Sequence, residues 1–366
     1  MPVEAHFPGL TPMNLKMTVQ GIAYYTDHYD IAINRVIAAR GHNEILGHEP
    51  KICRFCSRSA PAVTFRKEAH AVPELAGNGT LVSLYECDEC NARFATFEDD
   101  LGKMTLLERS AGQVLGKGGV PSAKTGQKKS RIDMGSRGFL IQEHEGDPIT
   151  AIDHNKKTLT VTISPHAYRP LGAYKALVKI ALTLMDESDI EKVPEALRWL
   201  REPDIATHQI NDGTNYSCIR SWTPGPMPIA HTRVMLLRRK PGDQAGPMYV
   251  MVLAFGNMTF QVVVPAPQED KRLSKNTISL PPVPVFAFFG ERQGARPHPL
   301  LDEKPRFTSA RERRAERSFP LRRRDRSDPA TGDVAAGSEL WFPSEESERL
   351  CRLVGRARTP ARTTTT

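Results

Sequence analysis

The sequence predicts an α+β protein with two ordered regions and a disordered end, and three observations carry that reading. Four of the six cysteines stand as two C-x-x-C pairs, Cys53/Cys56 and Cys87/Cys90. A helical apolar stripe at 169–186 precedes three near-continuous apolar runs, TRVMLLRR, MYVMVLAFG and MTFQVVVP. From about Glu291 the composition becomes arginine-rich and the chain ends in TTTT. The chain is accordingly divided into an N-terminal extension (1–51), a cysteine-stapled module (52–108), a basic Gly/Lys-rich linker (109–131), an α+β domain (132–290) and a tail (291–366).

The extension offers little. Ile31, Ile33, Val36 and Ile37, with Arg35 and Arg40 between and after them, suggest a short helix within Tyr24–Arg40. His6, His28, His42 and His48 lack ligand spacing and read as surface residues. With 39% hydrophobic and 25% charged residues the composition is that of an ordinary globular protein. The longest apolar runs are too short to span a bilayer and the N-terminus has no charged leader with an apolar core, so no membrane partner and a cytoplasmic location are expected. The net charge of +8 suits a polyanionic partner, but +5 of it lies in the tail, so whole-chain charge is weak evidence for one.

Each C-x-x-C knuckle can grip one edge of a tetrahedral ion through two thiolates, and a set of four thiolates points to structural zinc. Such a site is closed to water and contributes on the order of 10–16 kcal/mol of apparent binding energy, enough to fold a short, loop-rich segment. Disulfides or free buried thiols are the alternative, disfavoured where thiols stay reduced.

Between the knuckles VTFRK alternates like a strand, and Glu68 and His70 follow it. Pro73 stands three residues beyond His70, Gly77-Asn78 marks a turn, and Asn91 directly follows Cys90. In the succession C-x-x-C, His-x-x-Pro, C-x-x-C-Asn, the stretch Ile52–Leu101 resembles the HNH endonucleases of the zinc-ribbon type. The resemblance implies a ββα-metal hairpin and helix, and metal-dependent hydrolysis of phosphodiester bonds in nucleic acid, with DNA preferred over RNA. It implies His70 as general base and Asn91 as a ligand of the catalytic metal. Asn78 fits the middle asparagine by residue type, although Ser83 lies nearer the usual distance from the second knuckle. The family usually has an acidic residue directly before the histidine; Ala69 occupies that place here, and Glu68, one position earlier, would share a face with His70 if both stand in a strand.

The residue types suit the chemistry. Phosphodiester hydrolysis needs a water deprotonated and a developing negative charge neutralised, which one base and one divalent ion provide. Histidine titrates nearest neutrality. Oxygen ligands such as Glu68 and the Asn91 carbonyl favour Mg²⁺ or Mn²⁺ at a second site distinct from the zinc. A nonenzymatic zinc-ribbon module that binds nucleic acid or protein is the rival reading.

Downstream, Asn91–Leu107 carries Phe94, Phe97, Leu101 and Met104 at helical spacing, with Glu98 on a face similar to that of Asn91 and read as solvated. Ser110–Ser130 reads as a flexible linker whose lysines either lie along a phosphate backbone or face solvent. A hairpin is expected across GDPITAIDHNKKTLTVTISP, where Asp153-His154-Asn155 imitates a nuclease motif inside a turn. RPLGAYKALVKIALTLMD reads as a buried amphipathic helix with Lys175 and Lys179 facing solvent, and PEALRWLREP as a shorter one. The three apolar strands follow, the last two joined at Gly256-Asn257, and Cys218 reads as a buried thiol. Target selection, oligomerisation and ligand sensing are all open roles for this domain. The tail cannot bury a core and is expected to be disordered.

Overall fold

The computed structural model describes residues 12–135, 138–153, 158–161, 166–202, 218–223, 228–273 and 280–284. The expected disordered tail and the His154-Asn155 turn lie outside them. The fold class is α+β, as the sequence predicts.

Helix α1 (Pro12–His28) runs directly into strand β1 (Tyr29–Ile37). A small sheet follows, made of β2 (Glu44–Leu46), β3 (Ala69–His70) and β4 (Leu81–Ser83) in the order β2-β4-β3. Helix α2 (Asp88–Met104) and the short α3 (Leu106–Ala111) come next. Strands β5 (Ala123–Lys124), β6 (Arg131–Gly135) and β7 (Gly138–Gln142) form an antiparallel meander, and β8 (Thr150–Asp153) pairs with β9 (Thr158–Val161). Helices α4 (Pro170–Leu184), α5 (Glu187–Ile190) and α6 (Pro194–Arg201) lead to β10 (Cys218–Trp222), β11 (Ile229–Arg239), β12 (Tyr249–Gly256) and β13 (Met258–Val264). These last four strands join β1 in an antiparallel sheet of order β1-β11-β12-β13-β10.

The three apolar runs are strands as expected, and β12 is buried at every residue. Gly256 takes φ +58, the left-handed turn conformation that glycine tolerates, and β13 begins two residues later. The N-terminal segment departs from expectation. Residues 29–37 are an edge strand paired along β11 rather than a helix. Isoleucine and valine, stiff at χ1, favour the strand, and Tyr29, Ile31 and Ile33 also recur at a spacing of two.

The core does not divide at the expected boundaries. One apolar cluster runs from Cys53, Phe55 and Phe94 of the cysteine module through Leu177 and Leu182 of α4 to Leu236 and Phe260 of the large sheet. The stretch expected as a flexible linker is packed as well. Val114 and Ala123 are buried, β5 pairs with β6, and the Asp147 carboxylate accepts from the amides of Lys129 and Ser130 at 3.2 and 3.1 Å. Its lysines 117, 124, 128 and 129 are exposed. Cys218, expected to be buried, is exposed on β10 at the sheet edge. No helix among the described residues is long and apolar enough to cross a membrane.

Helix α4 is buried from Leu171 to Leu184, sandwiched between α2 and β13. At its N-terminus the Asp100 carboxylate of α2 accepts from the Arg169 amide at 3.0 Å and from Arg169 Nε at 2.8 Å. A negative group there also meets the positive end of the helix dipole. At its C-terminus the Arg54 guanidinium, from the first knuckle, donates to the carbonyls of Leu182, Thr183 and Met185. The approach at the first of these contacts is close: a Cβ added at Gly172 would meet Asp100 Oδ2 at 2.1 Å. We expect Gly172→Ala to cost about 1–3 kcal/mol through overpacking, read as a lowered urea midpoint. An unchanged midpoint would mean that α2 and α4 are not held this close.

Candidate metal centre and hydrolytic site

The thiols of Cys53, Cys56, Cys87 and Cys90 all lie within 4.8 Å of one another. The Cys56 and Cys87 sulfurs are 3.8 Å apart. A zinc ion bound at ~2.3 Å to four sulfurs needs sulfur–sulfur edges of ~3.8 Å, whereas a disulfide needs ~2.05 Å. The four cysteines are free, and the cluster can hold a metal such as zinc. It is the only group of three or more Cys, His, Asp or Glu ligands brought together among the described residues.

Local structure makes the cluster. In the first knuckle the Ser57 amide donates to the Cys53 carbonyl at 2.7 Å and the Cys53 amide to Arg58 O at 2.9 Å, with Ser57 turned to φ +59. Cys87 is the N-cap of α2, so Cys90 lies within the first helical turn. The Cys53 thiol is drawn down to about 5, chiefly by a hydrogen bond with Cys90. That same bond, with burial, pushes Cys90 up, and burial pushes Cys87 up to about 11. Thiols this crowded compete over where negative charge sits, and a divalent ion relieves the competition by neutralising all of them.

The helix that carries the second knuckle also positions the histidine strand. The Asp88 carboxylate at the start of α2 accepts from the amides of Arg66 and Lys67 at 3.0 and 2.9 Å and from the Thr64 hydroxyl. Those bonds, the hydroxyl's foremost, hold its pKa below the usual carboxylate range. The chain then enters β3, where Ala69 pairs with Ser83 and His70 with Val82 of β4. His70 is half-buried, and its Nε2 lies 3.7 Å from Glu68 Oε1. Glu68 is exposed and its other oxygen accepts from Asn43 Nδ2 at 3.3 Å.

Asn78, a candidate site residue, belongs to the turn. Its Nδ2 donates to the carbonyls of Val72 and Leu81 at 2.6 and 2.9 Å, and its Oδ1 accepts from the amides of Thr80 and Leu81 at 3.0 and 2.8 Å. The amide is buried and its hydrogen-bonding capacity is spent on closing the β3–β4 loop, which leaves none for a ligand. Ser83, the alternative, is buried as well, with its hydroxyl accepting from the Tyr85 amide. Asn91 is half-buried in the first turn of α2, and its side-chain amide makes no hydrogen bond among the described residues. Glu98 lies two turns further along the same helix, on a similar face.

The residue that the sequence reading missed is Lys179. It was expected to face solvent, yet it is 1% exposed. Its ammonium lies 2.9 Å from the His70 carbonyl, 3.0 Å from Glu86 Oε2 and 3.3 Å from Glu98 Oε1. Burial opposes its charge, and the two carboxylates outweigh burial, so its pKa is raised. Glu86 is pushed up by its own burial, against the pull of Lys179. Lys175, likewise expected in solvent, is buried with its ammonium 2.8 Å from Trp199 O. A signal existed: in α4, PLGAYKALVKIALTL, only Lys175, Lys179 and Thr183 interrupt an otherwise apolar surface, a stripe narrower than the polar face of a solvent-exposed helix.

Comparison with known proteins yields no match to any family model, curated protein or solved structure.

Lys179→Met strands two acids, one fully buried, without their cation. The expected cost is about 3–5 kcal/mol, read by urea denaturation, with most of it recovered in Lys179→Met/Glu86→Gln. Wild-type stability in the single variant would show that Glu86 and Lys179 do not form a buried ion pair.

Proposed function

We propose that this chain is an endonuclease of the HNH type, hydrolysing phosphodiester bonds in nucleic acid, preferentially DNA, with His70 as the general base. The observation that carries the reading is the placement of His70. It is a half-buried imidazole on a two-residue strand, fixed between two cysteine knuckles, with a carboxylate 3.7 Å away and a helix bearing Asn91 directly after the second knuckle. The strand pair and helix, β3–β4–α2, follow the order that the resemblance implies.

Each residue has a task in this account. His70 accepts the proton of the attacking water at a ring nitrogen. Its backbone carbonyl is tied to Lys179 and the strand to β4, so the ring cannot slide along its register. Positioning of this kind makes a general base worth about 10²–10⁴-fold. Glu68, which replaces the family's acidic residue from one position earlier, and Asn91 supply the oxygen donors for Mg²⁺ or Mn²⁺; the exposed Glu68 carboxylate is held only by the long contacts with His70 and Asn43, and the Asn91 amide makes no hydrogen bond among the described residues. When bound, that ion neutralises the charge that develops on the phosphate. The cysteine cluster, filled by zinc, takes a purely structural part.

The test is plasmid nicking with Mg²⁺ or Mn²⁺ by the wild-type chain and His70→Ala, with zinc content measured on both. We expect one zinc per chain in each and about 10²–10⁴-fold slower nicking in the variant. Equal cutting would remove His70 as the base. A wild-type chain with full zinc that cuts neither DNA nor RNA would instead support the binding module.

A further inference from the structure

A cavity of about 630 Å³ lies along α2, bordered by Pro73, Glu98, Lys103, Arg109, Lys117 and His166 among others. It adjoins the proposed site: Pro73 is three residues beyond His70, and Glu98 shares Lys179 with the His70 carbonyl. Its size suits one nucleotide unit, which a duplex could present from its backbone.

Most charges on its wall are matched. Lys103 pairs with Asp99 at 2.7 Å, Lys117 with Glu74 at 4.0 Å and Glu98 with Lys179 at 3.3 Å. Arg109 is different. It is only 9% exposed, yet no carboxylate lies in ion-pair contact with it among the described residues. Its Nε donates to Thr105 Oγ1 at 3.2 Å and one Nη to Gly102 O at 2.9 Å, which leaves the rest of the fork for a ligand. Glu108, whose opposite charge acts on it from beyond ion-pair contact, is itself paired with Arg220 at 3.2 Å, so an anion in the cavity would offset the remaining cost of burying the guanidinium. Across from it runs the loop Gly116-Lys117-Gly118-Gly119. The Gly116 and Gly119 amides donate to each other's carbonyls at 3.1 and 3.0 Å, and nothing lies within 4 Å of where a side chain would start at Gly118 or Gly119, so an anion can approach the Lys117 and Gly118 amides at the tip of the loop.

We propose that Arg109 and this glycine loop form a subsite for a phosphodiester group of the nucleic-acid strand, next to the one cleaved at His70. A planar guanidinium fork matches phosphate oxygens, and an exposed Lys117 adds a mobile second cation at the rim. The assignment rests on the nucleic-acid reading above, and it deepens that reading by giving the strand a second point of attachment.

The experiment is fluorescence anisotropy of a short DNA duplex across a salt series without added divalent metal, on the full chain, Arg109→Gln and Lys117→Glu. Zinc content and thermal melting are checked for each. Arg109→Gln is expected to bind about tenfold more weakly, as befits the loss of one charged hydrogen-bonding group, and to lower the slope of log K against log salt by about 0.9, the share of one phosphate. Lys117→Glu, altered at an exposed side chain whose one ion pair, with Glu74 at 4.0 Å, lies at the surface, is expected to weaken binding in the same direction and is the deciding variant should Arg109→Gln fail to fold. Unchanged affinity and slope in folded variants would overturn the subsite. So would competition by a mononucleotide that vanishes in Arg109→Gln while duplex binding stays unchanged, since the cavity would then serve a free nucleotide. Binding is read without turnover, so the two proposals fail separately. Weakened binding in a chain that never cuts upholds the subsite and sinks the nuclease; unchanged binding in a chain that cuts sinks the subsite alone.

Discussion

Lys179 brings a positive charge to the centre of the molecule, and the arrangement around it explains why two regions that read as separate in sequence fold as one body. Taking an ammonium and a carboxylate out of water costs several kcal/mol for each ion. Here the ammonium is met by Glu86, Glu98 and the His70 carbonyl together. Those three partners come from the approach to the second knuckle, from α2 and from β3, so a single side chain of α4 fixes the mutual placement of the elements that make the site. Asp100 at one end of α4 and Arg54 at the other complete the grip. The helix is held by polar contacts at its start, middle and end, while its apolar residues fill the space between α2 and the large sheet.

The cysteine cluster solves a different problem. Strands of two and three residues cannot bury enough apolar surface to offset the entropy of ordering the loops between them. A metal held by the four clustered thiolates would supply that deficit locally. Asp88 then extends the order outward, since its carboxylate gathers the amides just before β3. His70 is thus set by the cysteine cluster on one side and a buried ion cluster on the other, with Asn78 closing the loop behind it.

What was legible in the sequence was whatever depends on neighbours in the chain. The knuckles could be read because chelation by C-x-x-C is a matter of local spacing, and the strands β11–β13 because continuous apolar runs have few other destinations. The turn at Gly77-Asn78 was visible as a turn, although the same asparagine also fitted a catalytic pattern, and only its four hydrogen bonds show how far the side chain is committed to the turn. Other features depend on partners far away in the chain. Strand β1 exists because β11, some two hundred residues on, offers it an edge, and an isoleucine-rich segment fits a helix or a strand by spacing alone. Lys179 was misread because a lysine is ordinarily at the surface, and the acids that bury it lie 81 and 93 positions earlier. Arg109 could not be distinguished from any other helical arginine until the pairing of its neighbours was known.

The central claim is that a metal-filled cysteine cluster and the Lys179 contacts together hold the His70 hairpin. Amide hydrogen exchange before and after complete zinc removal, with metal content followed in parallel, tests it most directly. The account predicts one zinc per chain and, on its removal, loss of protection in β3, β4 and the first turn of α2 while β11–β13 remain protected. A chain that carries no zinc as purified, or a hairpin whose protection survives its removal, would contradict the account.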